Sequence, residues 1–102
     1  MPLIHVRKLT QTCQRSPSLW EGTTADGLFI YVRFRWGRLT IGTGVTESEA
    51  IGNHNNVFEK QLGHNLDGTL EYEKLRDVTR AIIEWPEDFD LLLAPPVTIR
   101  LP

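Results

Sequence analysis

Between Phe29 and Ile41 the chain alternates in a way that admits one local structure. Ile30, Val32 and Phe34 fall on one side of an extended strand, and Phe29, Tyr31, Arg33 and Arg35 on the other. Trp36-Gly37 follows at once, and a turn there pairs Phe34 with Leu39 and Val32 with Ile41. All four share the apolar side. A slip of one residue would turn each strand's apolar set toward water, so the alternation pins the register. The same register sets Arg35 opposite Arg38. Like charges directly opposed cost up to about 1 kcal/mol, and call for a carboxylate or an anion nearby.

Asp26-Gly27 marks a second tight turn, because Asp-Gly readily supplies positive φ. It joins a strand over about 18–24 to the one over 28–36. A two-residue loop there would place Trp20 opposite Arg33. A three-residue loop that includes Ala25 would place it in the core beside Val32, the commoner fate of a Trp in a chain with few large apolar residues. With a strand over 38–43, the expected unit is a three-strand antiparallel meander.

Residues 3–9 alternate as a short strand, and 11–18, with Pro17 inside, read as a loop. Residues 42–56 are rich in Gly, Thr, Ser and Asn; Gly42-Thr43-Gly44 ends the strand and 52–56 read as an exposed loop, while 57–62 read as one or two helical turns in preference to a short strand. The main helix is expected over 69–84. Leu75, Val78, Ile82 and Trp85 recur at spacings of three and four, and Leu70, Tyr72 and Ala81 widen the stripe. Thr69 or Asp67 would cap it, Glu71 and Glu73 favour its dipole, and Pro86 ends it. Residues 87–96 read as an acidic, then proline-rich connection. Val97, Ile99 and Leu101 alternate as a last strand that could pair with the sheet or with a second copy at its edge.

The fold class is therefore α+β: an antiparallel sheet of four to five strands with the 69–84 helix on its apolar face, forming a single domain over 1–102. The core would draw on Ile30, Val32, Phe34, Leu39, Ile41, Leu75, Val78, Ile82 and Trp85. At 40% hydrophobic and 24% charged residues, the chain is globular and not disordered.

Charge and cysteine content narrow the function classes. A formal net charge of −2 argues against nonspecific coating of DNA. Yet residues 1–44 carry six Lys/Arg against two Asp/Glu, and residues 45–102 carry five against eleven. Such asymmetry marks a binding face, or two complementary faces of one domain. Cys13 is the only cysteine, so an intrachain disulfide is excluded and a reducing, cytoplasmic setting is expected. The start lacks the apolar run of a signal peptide, and no run is long enough to span a bilayer, so no membrane partner is expected.

The candidate site is the polar side of the meander: Tyr31, Arg33, Arg35 and Arg38, with Phe29 beside them. Guanidinium forks grip carboxylates and phosphates, and Tyr and Arg anchor protein interfaces. The leading expectation is a small non-enzymatic binding or inhibitor-type protein, of a size seen in phage and mobile-element products, that occupies a surface on another protein. Its acidic pole (Glu47, Glu49, Glu71, Glu73, Asp77, Glu87, Asp88, Asp90) could instead meet a basic surface. The alternative from another class is a nucleic-acid platform, since aromatics among arginines can stack on bases. No ribonucleoprotein consensus, Gly-x-x-Gly clamp or Cys/His finger accompanies that face.

A third class is a small metal-dependent enzyme, with His54 and His64 converging on Asp67 or Glu59. None of His5, His54 and His64 has a ligand spacing of known type. The run Asn65-Leu66-Asp67-Gly68-Thr69-Leu70 resembles the middle of an EF-hand loop. Gly63 stands where that loop needs Asp and Lys74 where it needs Glu, so it reads as a turn before a helix. Cys13 could pair with one of the histidines as a nucleophile but reads rather as a small buried hydrophobe, and the serines lie in no Gly-x-Ser-x-Gly elbow. No phosphate-cradling glycine loop is present. No metal, cofactor or catalytic residue is assigned.

Overall fold

The computed structural model describes residues 3–13, 18–52, 56–63 and 69–91. In chain order these form β1 (Ile4–Cys13), β2 (Ser18–Thr24), β3 (Phe29–Arg35), β4 (Arg38–Gly44), α1 (Glu47–Ile51), β5 (Asn56–Gln61), α2 (Tyr72–Thr79), β6 (Ile83–Glu84) and β7 (Asp90–Leu91). The sheet runs β5-β4-β3-β2-β1-β6, and β7 also pairs with β1. The pairings from β1 through β5 are antiparallel, whereas β6 and β7 lie parallel to β1. The domain is α+β, with a sheet larger than the four to five strands expected and a second short helix.

The meander has the register that the alternation requires. Val32 faces Ile41, Phe34 faces Leu39 and Arg35 faces Arg38. Trp36 (φ 55) and Gly37 (φ 73) are both left-handed, as a two-residue turn of type I′ demands. In the first hairpin the Thr24 N–H donates to Leu28 O at 2.8 Å, so the loop is the three residues Ala25-Asp26-Gly27, with Gly27 at φ 84. That extra residue sets Trp20 against Val32 and buries it completely.

α2 covers the apolar face. Val6, Leu9, Trp20, Ile30, Val32, Phe34, Leu39, Ile41, Leu70, Leu75, Ile83 and Trp85 form one core, with Val78 and Ile82 packed half-buried against it. Trp20 meets Tyr72 and Phe89 at ring-centroid distances of 6.3 and 6.2 Å. The helix is half the expected length. It starts at Tyr72, because Leu70 is tethered outside it: its N–H donates to the buried Ser18 Oγ at 3.0 Å. Glu71 is the N-cap residue and makes no side-chain cap bond. The helix stops after Thr79 because the β-branched pair Ile82-Ile83 leaves it to lie beside β1 at Ile4. The Thr79 hydroxyl, which donates to Leu75 O at 2.6 Å, also accepts from the buried Trp85 Nε1 at 2.7 Å and holds that exit.

Two other expectations are corrected, and one unassigned stretch gains a helix. β1 continues to Cys13 through two register shifts, where a loop was expected from residue 11. Residues 56–61 are an edge strand and not a helical turn, because pairing to β4 supplies the hydrogen bonds that one isolated turn would lack. Within 42–56, residues 47–51 are helical. The signal was Thr46-x-x-Glu49, the sequence of a capping box: the Thr46 Oγ1 accepts from Glu49 N–H at 3.2 Å, while Glu49 Oε1 reaches back one residue beyond the cap and accepts from Val45 N–H at 3.0 Å. The strand expected over 97–101, and with it the edge pairing to a second copy, lies outside the described residues. Among the described residues no helix is long and apolar enough to cross a membrane.

Candidate contact face on the outer side of the meander

Opposite the core, the meander presents Tyr31, Arg33, Arg35, Arg38 and Thr40 on one surface. Cross-strand pairing sets them in rows: Leu19, Arg33, Thr40 and Glu59 in one, Arg35, Arg38 and Gln61 in the next, and Glu21, Tyr31 and Gly42 on the other side. α1 covers only the far end. It sits on Gly42 and Gly44, whose lack of a side chain admits it: a Cβ on Gly42 would lie 2.2 Å from Ala50 O. Below α1 no described element covers the face. Arg33, Arg35, Trp36, Arg38, Thr40, Asn56, Glu59 and Gln61 line a groove of about 560 Å³.

The arginines are not equivalent. Glu59 Oε2 accepts from Arg38 Nε at 2.9 Å and lies 2.8 Å from its Nη2. This is the carboxylate that the Arg35–Arg38 opposition called for, and it neutralises Arg38. Arg38, one of the candidate contact residues, is thus paired within the chain. Arg35 swings away and lays its guanidinium over the Trp36 ring, 4.3 Å from the centroid. Arg33 is half-buried between Leu19 and Thr40. Neither Arg33 nor Arg35 has an ion-pair partner among the described residues. α2, with its acids, packs on the opposite side of the sheet.

Burial pushes the Tyr31 phenol above its ordinary 10.0; Arg33 pulls the other way, and Glu21 and Cys13 add to the rise. At neutral pH it is an uncharged hydroxyl able to donate. Phe29, also on this side, lies at the end near α1 and borders a separate cleft with Tyr31, Glu21 and Glu47.

Trp36 is the residue that strand alternation passed over, because it sits in the turn. It is 59% exposed and left-handed, a backbone state that costs a bulky residue roughly 1–2 kcal/mol. The turn around it is rigidly held. Gln61 Nε2 donates to Trp36 O at 2.9 Å, and the N–H groups of Leu62 and Gly63 donate to Gly37 O at 2.8 and 3.0 Å. The sequence signal was a tryptophan where a type I′ turn ordinarily has Asn or Gly.

The other candidates do not gather. His54, His64 and Asp67, with the middle of the EF-hand-like run, lie outside the described residues. His5 is exposed at the opposite edge of the sheet, bonded through Nδ1 to Glu84. Among the described residues no three of His, Cys, Asp and Glu come together to hold a metal. Cys13 is partly buried at the end of β1. The acidic pole is divided: Glu47 and Glu49 sit on α1, Glu73 and Asp77 on α2, and Glu87, Asp88 and Asp90 follow β6.

Compared with family models, curated proteins and solved structures, the chain matches none.

Proposed function

We propose that the protein is a non-enzymatic binding protein whose outer meander face, through Tyr31, Arg33 and Arg35, engages a carboxylate-bearing surface of another protein. The observation that carries this reading is the contrast among the arginines. Arg38 is paired with Glu59, whereas Arg33 and Arg35, on the half of the sheet that no described element covers, have no ion-pair partner among the described residues. Arginine, tyrosine and an exposed tryptophan are the types that dominate binding energy at interfaces.

A nucleic-acid partner fits this face less well. Glu21 and Glu59 flank the arginines on the same surface, so the positive charge is confined to one short patch, which suits a pair of carboxylates better than the long run of phosphates along a strand.

The test is affinity purification from the native cell followed by mass spectrometry, with an Arg33→Ala/Arg35→Ala variant alongside. The expected result is a specific partner lost in the double variant and captured more strongly by Glu59→Gln, which releases Arg38. A mobility assay with single-stranded RNA and DNA at two salt concentrations runs in parallel. Equal capture by the double variant refutes a role for this face. An oligonucleotide shift that weakens steeply with salt and vanishes in the double variant replaces the protein reading with the nucleic-acid one.

A further inference from the structure

We infer that the segment received by this face is an extended acidic peptide with the spacing acid-x-acid-x-apolar, read in either chain direction, its apolar residue resting on Trp36. The inference rests on the protein-binding reading above and adds to it a register and an anchor.

The spacing comes from the strand. Arg33 and Arg35 are two residues apart on β3 and share a face, so their Cα atoms are roughly 7 Å apart. An extended chain repeats its same-side residues at that interval, so carboxylates at alternate positions match the two strand positions from which the guanidinium groups extend. The next same-side residue of such a chain falls beyond Arg35, where Trp36 stands at the tip. β3 is hydrogen-bonded on both edges, to β2 and to β4. The peptide is therefore recognised by side chains lying across the sheet, not as an added strand.

The anchor comes from the turn. An exposed indole in a left-handed conformation contributes little to folding: no core residue is built on it, and a Gly or Asn would sit there with less strain. Yet one hydrogen bond from Gln61 to Trp36 O and two from the Leu62 and Gly63 N–H groups to the neighbouring Gly37 O hold the turn, and Arg35 lies over one side of the ring. A presented ring of this kind loses little freedom on binding. It also places an apolar surface beside two unneutralised cations, which is the complement of an acidic segment carrying one apolar residue.

The experiment pans a random dodecapeptide phage library on the intact protein, then measures synthetic versions of the enriched peptides by fluorescence anisotropy. Three proteins are compared: wild type, Arg33→Ala/Arg35→Ala and Trp36→Asn. Asn accepts the left-handed backbone, so the Trp36 variant is expected to unfold at the wild-type temperature or above it. The expected result is enrichment of acid-x-acid-x-apolar or its reverse, with binding weakened at least tenfold in each variant. Peptides that bind Trp36→Asn as tightly as wild type overturn the anchor, and if Arg33→Ala/Arg35→Ala still loses them, the contact face itself stands. Acids enriched at helical spacing of three or four overturn the extended register. Absence of acidic enrichment, or equal binding by all three proteins, overturns the inference; equal binding also removes the peptide-level support for the face.

Discussion

Gly42→Ala is the substitution that most directly tests how the outer face is closed at one end. The new Cβ would lie 2.2 Å from Ala50 O, 3.3 Å from Ala50 C and 3.3 Å from Asn56 Oδ1. The first contact is with backbone, so no rotamer relieves it. α1 must lift by about 1 Å or more to restore ordinary contact distances. A helix of five residues does not persist without its support. Ala50, 2% exposed, would lose its packing. Overpacking of this kind costs about 1–3 kcal/mol. Urea unfolding should report that loss. Hydrogen exchange should locate it, with faster exchange at Ala50 and Gly52, whose N–H groups bond to Thr46 O and Ser48 O, while β3 stays protected. Gly27→Ala is the control. A Cβ there meets nothing within 4 Å, but φ is +84, so its cost is conformational and confined to the turn. If Gly42→Ala unfolds within 0.5 kcal/mol of wild type (the usual range for surface changes) and keeps its α1 amides protected, the argument that this glycine seats α1 is wrong.

Ser18→Ala strands the buried N–H of Leu70, which now donates to Ser18 Oγ, and should cost about 1–3 kcal/mol by chemical denaturation. A cost near zero would show that the Leu70 amide finds another acceptor. Tyr72 makes stability fall at alkaline pH. Burial chiefly, with Asp88 adding and Arg76 opposing, raises its phenol from 10.0 to about 12, and the hydroxyl donates to Pro86 O at 2.6 Å. Between these values the unfolded chain gives up a proton that the folded chain keeps. The contribution is therefore complete below pH 10 and is lost as pH rises toward 12. Tyr72→Phe should be less stable at neutral pH and show a shallower alkaline decline; the raised Tyr31 keeps some slope, and superimposable pH profiles would contradict the assignment.

How much of this was readable from residues alone varies with the range of the deciding interaction. The Phe29–Ile41 register was readable because period-two alternation and a two-residue turn constrain each other within a dozen residues. The choice between loops at Asp26-Gly27 was not, since both are good turns; burial of Trp20 beside Tyr72 and Phe89 decided it. α1 carried a local mark in Thr46-x-x-Glu49, outweighed by the Gly and Asn around it. The 69–84 periodicity overran its helix because Ile82 and Ile83 fit a helical stripe and a strand equally well, and the free edge of β1 selected the strand. At the candidate site, Tyr31, Arg33 and Arg35 were legible as one side of a strand, but the neutralisation of Arg38 was not. Glu59 lies 21 residues away in a segment that read as helical.

By itself the amino-acid order determined what neighbours on one strand share: which residues face the core, which face outward, and where the turn between β3 and β4 lies. Those follow from backbone geometry that repeats every two residues. Only the tertiary structure decided which outward charges remain unneutralised, because charge pairing depends on which distant element comes to lie alongside. It brought β5 and Glu59 to Arg38, placed α2 and its acids on the other side of the sheet, and left Arg33, Arg35 and Trp36 on the half of the face that no described element covers.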